Sequence, residues 1–287
     1  MLLGYNTNGF AHHPLVDAIA MLADLGFQSI AITLDYHSLN PFDPDLSSQV
    51  QQVKKLLTER RLACTIETGA RYLLDPWQKH WPTLLSPDAT SRQIRRHFLQ
   101  RAIDIASELG SSCVSLWSGS LNSHEKQDAT QTTDLQLTRL AEELRLLTQY
   151  AAARNVQIGF EPEPGMLIDT MSMWDRLLAQ GGLEGLRLTL DIGHLHCQGE
   201  FPIADYIRRY GERLINVHLE DMKQGIHEHL QFGEGEMEFP PIISALQEIH
   251  YQGPIHVELS RHSHMAPMAA QAAWQYLSPL VSCSQNR

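Results

Sequence analysis

The chain has 287 residues, 43 % hydrophobic and 19 % charged, a globular composition with enough apolar side chains for a sizeable core. Its formal net charge of −11 argues against a protein that grips a nucleic-acid backbone, which needs clustered Lys and Arg, so no nucleic-acid partner is expected. No apolar run approaches the ~18 residues of a membrane span, and the opening "MLLGYNTNGF" lacks the basic and long apolar segments of a signal peptide, so a cytoplasmic protein with no membrane contact is expected.

In chain order, short apolar runs alternate with longer stretches of helical periodicity. The spacing predicts strands at Leu2–Asn6, Ser29–Leu34, Ala63–Glu67, Cys113–Trp117, Gln157–Glu161, Arg187–Asp191, Ile215–Leu219 and Ile255–Leu259. Between the first two lies "HPLVDAIAMLADLG", with Leu15, Ile19, Leu22 and Leu25 on one face and Gly26 as its stop. "LSSQVQQVKKLLTERR", "TSRQIRRHFLQRAIDIASELG" and "DLQLTRLAEELRLLTQYAAARN" follow as longer helices. Shorter ones are "MSMWDRLLAQGG", "PIADYIRRYG", "PPIISALQEIHYQG" and "APMAAQAAWQYLS". Eight strands each followed by a helix require parallel pairing, and predict one (β/α)8 barrel domain over 1–287. An open doubly wound sheet is the rival, disfavoured because no Gly-rich dinucleotide fingerprint follows the first strand; no nucleotide cofactor is expected.

Two remaining features are less regular. The stretch Arg71–Asp88 is the longest irregular segment, and in a barrel it would lie at the carboxyl end of the strands, as a lid, a pocket wall or a packing excursion. Its Trp77 and Trp81 could offer a face to a second copy in a homo-oligomer, and the final "SCSQNR" reads as a frayed tail. Cys64, Cys113, Cys197 and Cys283 form no CxxC pair and read as reduced thiols.

Strands of a parallel barrel are buried on both faces, so an ionisable residue at a strand's end needs a reason. The last four predicted strands end in "FEPEPG", "LTLDIGH", "NVHLED" and "HVELSR", which brings Glu161, Asp191, His218 and Glu258 to one end of the barrel. Three carboxylates in a partly desolvated space need positive compensation, and one divalent metal (Mn, Mg, Co or Zn) suits an oxygen-rich set with one nitrogen. Taken singly, each has a plainer reading: a solvated carboxylate for Glu161, a turn cap for Asp191, a core histidine for His218, a partner of Arg261 for Glu258. A second group consists of His194, three residues after Asp191, with His227 and His229 in the Gly-rich loop "GIHEHLQFGEGE"; it is either a second metal or substrate site, or a surface loop with incidental histidines.

The motifs "FEPEPG", "LDIGH", "NVHLEDM", "HLQFGEGE" and "HVELS" resemble the sugar-phosphate isomerase/epimerase family, the xylose-isomerase-like barrels that also include AP-endonuclease-type nucleases. The resemblance implies a metal held by Glu161, Asp191, His218 and Glu258, with Glu161 and Glu258 also serving as acid/base groups. It places His194 as a substrate contact or second-metal ligand, and His229 as a metal ligand in the nuclease branch. The third and fourth strands lead into "ETGARY" and "LWSGS" without the histidines of that branch's multi-zinc cluster, and His37 at "LDYH" stands alone.

The expected chemistry is isomerisation or epimerisation of a sugar, keto-sugar or polyol-derived ketone, through proton abstraction beside a metal-bound carbonyl and a metal-stabilised enediolate. A dehydratase of the inosose type, with His194 as acid, and a metal-dependent hydrolase of the AP-endonuclease type are the alternatives; a non-catalytic metabolite-binding barrel is a third. Glu163, Glu67 and Asp35 are candidate contacts for substrate hydroxyls, and Trp117, Tyr5 or Phe10 are candidate walls for a sugar or polyol substrate.

Overall fold

The computed structural model describes residues 1–120 and 129–282. The expected strands form, trimmed or extended by a residue or two: β1 Leu2–Asn6, β2 Ser29–Thr33, β3 Ala63–Glu67, β4 Cys113–Leu116, β5 Gln157–Phe160, β6 Arg187–Asp191 and β7 Leu214–Leu219. A short β8 (Asp221–Lys223) and β9 (Ile226–Leu230) precede the last barrel strand, β10 (Pro254–Val257). β1–β7 and β10 close into a parallel barrel in the order β1-β10-β7-β6-β5-β4-β3-β2. Cys64, Cys113 and Cys197 are free thiols, while Cys283 and the expected tail lie outside the described residues. Among the described residues no helix is long and apolar enough to cross a membrane.

The helices wrap the barrel because their apolar stripes match the outward residues of the strands. α1 (Leu15–Leu25) buries Leu15, Ala18, Ile19 and Leu22, and Gly26 ends it in the left-handed region, where its amide bonds back to Ala23. α2 (Leu46–Arg60), α3 (Ala89–Leu109) and α4 (Ala129–Ala152) continue the ring. Asp88 caps α3 by accepting from the Ser91 amide at 2.7 Å, a bond whose removal costs about 1 kcal/mol in helices generally. α5 (Met171–Leu178) sets the fully buried Trp174 against Phe160 of β5, ring centroids 5.5 Å apart.

The barrel interior departs from the apolar filling usual for this architecture. His256 of β10 is fully buried; its Nδ1 meets Asn216 Oδ1 of β7 at 2.8 Å and its Nε2 meets Ser29 Oγ of β2 at 2.9 Å. This polar layer is satisfied by cross-barrel hydrogen bonds, the condition for burying such groups. Outward neighbours such as Ile30, Ile32, Val217 and Leu219 supply the apolar half of the alternation.

Two differences from expectation concern the stretch after β6 and β7. "DIGHLHCQ" forms a short helix α6 (Ile192–Gln198) before α7 (Ile203–Tyr210). The loop expected to carry His227 and His229 is the antiparallel hairpin β8–β9, with Lys223 opposite Ile226 across Gln224–Gly225. Gly225 has φ 74°, which a two-residue hairpin turn requires. Asp221 staples the following loop by accepting from the amides of Gly233, Gly235 and Met237 at 2.8 to 3.1 Å. The remaining helices are α8 (Phe239–Glu248) and α9 (Ala266–Ser282).

Candidate functional site

Parallel register delivers the four strand-end residues to one level. Asp191 lies opposite His218 in the β6–β7 ladder, and His218 lies opposite His256 in the β7–β10 ladder. Glu161 and Glu258 stand one residue beyond β5 and β10, their amides still bonded to Leu116 and Leu219 of the neighbouring strands. His218 Nδ1 is 3.0 Å from Glu161 Oε1, 3.0 Å from Glu258 Oε2 and 3.8 Å from Asp191 Oδ2. One donor atom from each of the four residues lies within 4.8 Å of the others.

Glu67 and Asn216 meet the other edge of the ring, the Asn216 amide nitrogen standing 3.0 Å from Nε2, and the carboxylate favours a proton on that nitrogen. Glu67 Oε1 sits 3.0 Å from His218 Nε2 and also accepts from Asn216 Nδ2 at 3.1 Å. With Nε2–H donated to Glu67, the lone pair on Nδ1 faces three carboxylates, an arrangement that needs a cation or a proton between them. Asp191 does two things at once: Oδ1 caps α6 by accepting from the His194 amide at 2.8 Å, while the buried Oδ2 has no hydrogen-bond partner. An orphaned carboxylate oxygen, two further carboxylates and an imidazole nitrogen with a free lone pair fit a divalent cation.

The electrostatics divide the two glutamates. Burial pushes the Glu161 carboxyl up to about 8, against the pull of His218. Glu258 is also desolvated, yet the charge of His218 and its hydrogen bond hold its carboxyl well below the usual range. His218 itself is pushed well above an ordinary imidazole, because Glu161, Glu67 and Glu258 outweigh its desolvation. Without a metal, the cluster carries a proton where a cation would sit.

Beside it lies the histidine group. His194, His227 and His229 have ring centroids 4.8 to 5.9 Å apart. The Pro162 carbonyl at 3.1 Å takes the proton of His194 Nδ1, leaving the lone pair of Nε2 toward His227 Nε2 at 3.1 Å. Burial lowers His194 to about 4, so this imidazole is neutral near pH 7. Glu163 reaches both His194 and His227 at 3.8 Å.

Glu220 was not legible as a candidate. It is fully buried, neither carboxylate oxygen has a hydrogen-bond partner, and His229 Nδ1 stands 3.8 Å away. Gly193 makes the room, because a methyl there would collide with this carboxylate. Desolvation lowers His229, but Glu220, with Glu258 and Asp191, reverses that and raises it to about 10, while burial and the charge of Asp191 push the Glu220 carboxyl itself well above the usual range. The available signal was the period of two in Asn216, His218 and Glu220, which turns all three to one side of the strand.

Three of the four strand-end residues, Glu161, His218 and Glu258, open into a cup of about 610 Å³, with Asp191 buried behind them. Glu67, Glu163, Trp117, His227 and His229 line it, as do Arg71 and His80 from the irregular segment, which is therefore a pocket wall. Trp77 of that segment is 89 % exposed, with no role in the cup. Tyr5 and Phe10 are not walls of the cup: they pack edge to face at 5.6 Å in the core. Arg261 pairs with Glu228 at 2.9 Å and leaves Glu258 to the cluster. Glu258 instead accepts from Asn8 Nδ2 at 2.8 Å, a contact across the barrel seam that sequence reading missed.

A closed parallel barrel with an acidic, histidine-containing cup at the carboxyl ends of its strands defines a (β/α)8 barrel with a candidate metal site. The chain belongs to the xylose isomerase-like TIM barrel family, which matches residues 19–279. An inosose dehydratase from Lacticaseibacillus casei is 29 % identical over 209 residues, 66 % of this chain and 68 % of that protein. Among solved structures, a D-allulose 3-epimerase from Methylomonas sp. superposes with a TM-score of 0.75 at 21 % identity, over 98 % of each chain. A 3-keto-D-glucoside 4-epimerase from E. coli gives 0.77 at 17 % identity, over 97 % of this chain and 99 % of that one. At those identities the two structures bear on the fold.

Proposed function

We propose that this protein is a divalent-cation-dependent enzyme that moves a proton on the carbon beside the carbonyl of a sugar, keto-sugar or polyol-derived ketone, as an isomerase or epimerase. The observation that carries the reading is His218 Nδ1, its lone pair turned by Glu67 toward Glu161, Glu258 and Asp191. A cation bound by Glu161, Asp191, His218 and Glu258 would supply electrophilic polarisation of a carbonyl and its neighbouring hydroxyl. Glu161 and Glu258 are the acid/base pair, one taking the proton from carbon and the other returning it. Both carboxylates reach the same Nδ1 of His218 at 3.0 Å, so a ketone held there would have two acid/base groups beside its carbon, as epimerisation requires. Glu163, Glu67 and Trp117 line the cup where substrate hydroxyls and ring would rest.

A dehydratase is the second reading. It is favoured by the likeness to the inosose dehydratase of Lacticaseibacillus casei. In either reading His194, His227 and His229 contact substrate or a second cation.

The test is exchange of a ketose's carbon-bound hydrogen with deuterium from solvent, followed by NMR on Mn²⁺-loaded protein, with Glu161→Gln and Glu258→Gln beside wild type. Wild type is expected to exchange and both variants to fall by about 10²-fold or more. Undiminished exchange in both variants would remove the acid/base assignment.

A further inference from the structure

A chain of buried hydrogen bonds runs from the closing seam of the barrel to the candidate cation site. Ser29 Oγ of β2 meets His256 Nε2 of β10 at 2.9 Å, and His256 Nδ1 meets Asn216 Oδ1 of β7 at 2.8 Å. The nitrogen of the same Asn216 amide, Nδ2, lies 3.1 Å from Glu67 Oε1 and 3.0 Å from His218 Nε2. We propose that His256 is a positioning residue for the cation site. It holds the Asn216 amide with its NH2 group toward Glu67, and so helps to aim His218 Nδ1 at Glu161, Asp191 and Glu258. This rests on the cation-binding reading of those four residues and extends it to a side chain whose own hydrogen bonds go only to Ser29 and Asn216.

The direction of each bond follows from what the groups can donate. An amide oxygen only accepts, so His256 Nδ1 carries the proton of its bond to Asn216. Both partners of the ring are uncharged and the ring is fully buried, so it is neutral, and its Nε2 accepts from the Ser29 hydroxyl. The reverse amide orientation would set Asn216 Oδ1 about 3.1 Å from the Glu67 carboxylate, acceptor against acceptor. Every donor therefore points one way, from Ser29 toward Glu67, whose Oε1 also takes the proton on His218 Nε2. Aligned hydrogen bonds polarise one another, so His256 strengthens the hold of Asn216 on Glu67. The backbone makes room for this side chain. Gly4 of β1 pairs with His256 on one side and with Ser29 on the other. A methyl on Gly4 would strike the His256 ring, which crosses it to reach Ser29. Ser29, Asn216 and His256 are all fully buried, in an interior that branched apolar side chains usually fill. Hydrocarbon would pack there with no partners to satisfy. What the Ser–His–Asn chain adds is a fixed direction for one amide.

The test has two readouts. In NMR of protein labelled with ¹⁵N-histidine, His256 is expected as the Nδ1–H tautomer. An Nε2–H tautomer, which would donate to Ser29 instead, overturns the proposal. Calorimetric Mn²⁺ titration then compares wild type with His256→Leu, which fills the space without a donor, and His256→Asn, whose amide nitrogen can stand where Nδ1 stood. His256→Leu is expected to bind Mn²⁺ about ten-fold more weakly, the low end of the loss for groups behind a metal ligand, and His256→Asn to stay within about three-fold of wild type. A merely structural ring would cost both variants thermal stability and leave the affinity of the folded protein unchanged. That result overturns the proposal, and so does an equal loss of affinity in the two variants. The tautomer needs no variant, so refutation stays possible if His256→Leu does not fold. Failure of the cation reading is separable. Wild type that binds no Mn²⁺ removes the chemistry proposed for the cup, while the tautomer of His256, read on the same cation-free protein, still upholds or overturns its bond to Asn216.

Discussion

The two halves of this barrel are built alike and finish differently. β5, β6, β7 and β10 deliver Glu161, Asp191, His218 and Glu258, all ionisable and all turned to one point. β1, β2 and β4 finish with Asn6, Thr33 and Leu116, and only β3 contributes a charge, Glu67. Thr33 Oγ1 donates to Asn6 Oδ1 at 2.6 Å, so these neutral ends satisfy each other. The difference teaches a division of labour. One half concentrates carboxylates whose repulsion a cation would relieve, and the other ends in groups that satisfy one another. Concentrated charge costs stability unless compensated, and here it is confined to four adjacent strands, β5, β6, β7 and β10.

The sharpest way to break this comparison is one truncation in each half. Asp191→Ala is expected to weaken Mn²⁺ binding by about 10²-fold or more, because it removes both a donor with a free oxygen and the cap that orients His194. Thr33→Ala, at a strand end of the other half, is expected to leave cation affinity within about two-fold. Calorimetric Mn²⁺ titration of both variants decides it, and comparable losses in the two would show that the halves are not separate in function.

Glu67 is where the halves meet, and its effect is expected to be intermediate. It acts through another residue, since its carboxylate holds Nε2–H of His218 and thereby aims Nδ1 at the cluster. Glu67→Gln keeps the shape and removes the charge, so cation affinity is expected to fall about 10- to 100-fold, the usual cost of losing the carboxylate behind a ligating imidazole. A purely structural role would instead appear as lost thermal stability with unchanged affinity in the folded fraction.

The barrel and the cluster of four strand-end residues were legible because both leave local marks. Each strand is an apolar run closed by a turn residue, and an Asp, Glu or His at the end of such a run stands out against its neighbours. Glu220 left a weaker mark, since its burial depends on Gly193 giving way on a different element. The bond from Asn8 to Glu258 joins residues 250 positions apart, and the one from Ser29 to His256 joins residues 227 apart; only closure of the barrel creates either. Tyr5 and Phe10 were offered as pocket walls because an aromatic near a strand end fits both a wall and a core. Sequence period cannot choose between them when the neighbouring connection is unknown. The hairpin β8–β9 was hidden for a similar reason: "HEH" alternates as a strand does, but its partner is three residues of a connection that otherwise reads as loop.

The smallest effect separates the halves by proton linkage. His80, beside the β3 end, is lowered to about 4, chiefly by burial, against a hydrogen bond to the Gly69 carbonyl that would raise it. Unfolded, it takes up a proton near pH 6.5, so its neutral burial stabilises fully above pH 6.5, and that contribution is lost as the pH falls from 6.5 to about 4. His229, on the other side, is raised to about 10 by Glu220 in spite of its desolvation. Its contribution is fully present below the unfolded value of 6.5 and is lost as the pH climbs to about 10. In chelated protein, His80→Asn is therefore expected to flatten the acid limb of the stability profile and leave the alkaline limb unchanged. His229→Gln is expected to flatten the alkaline limb and spare the acid one. Denaturant midpoints from pH 4 to 10 give both limbs. A His229→Gln variant that altered only the acid limb would mean that Glu220 does not hold that ring charged, and with it would go the separation of a neutral half from a charge-bearing one.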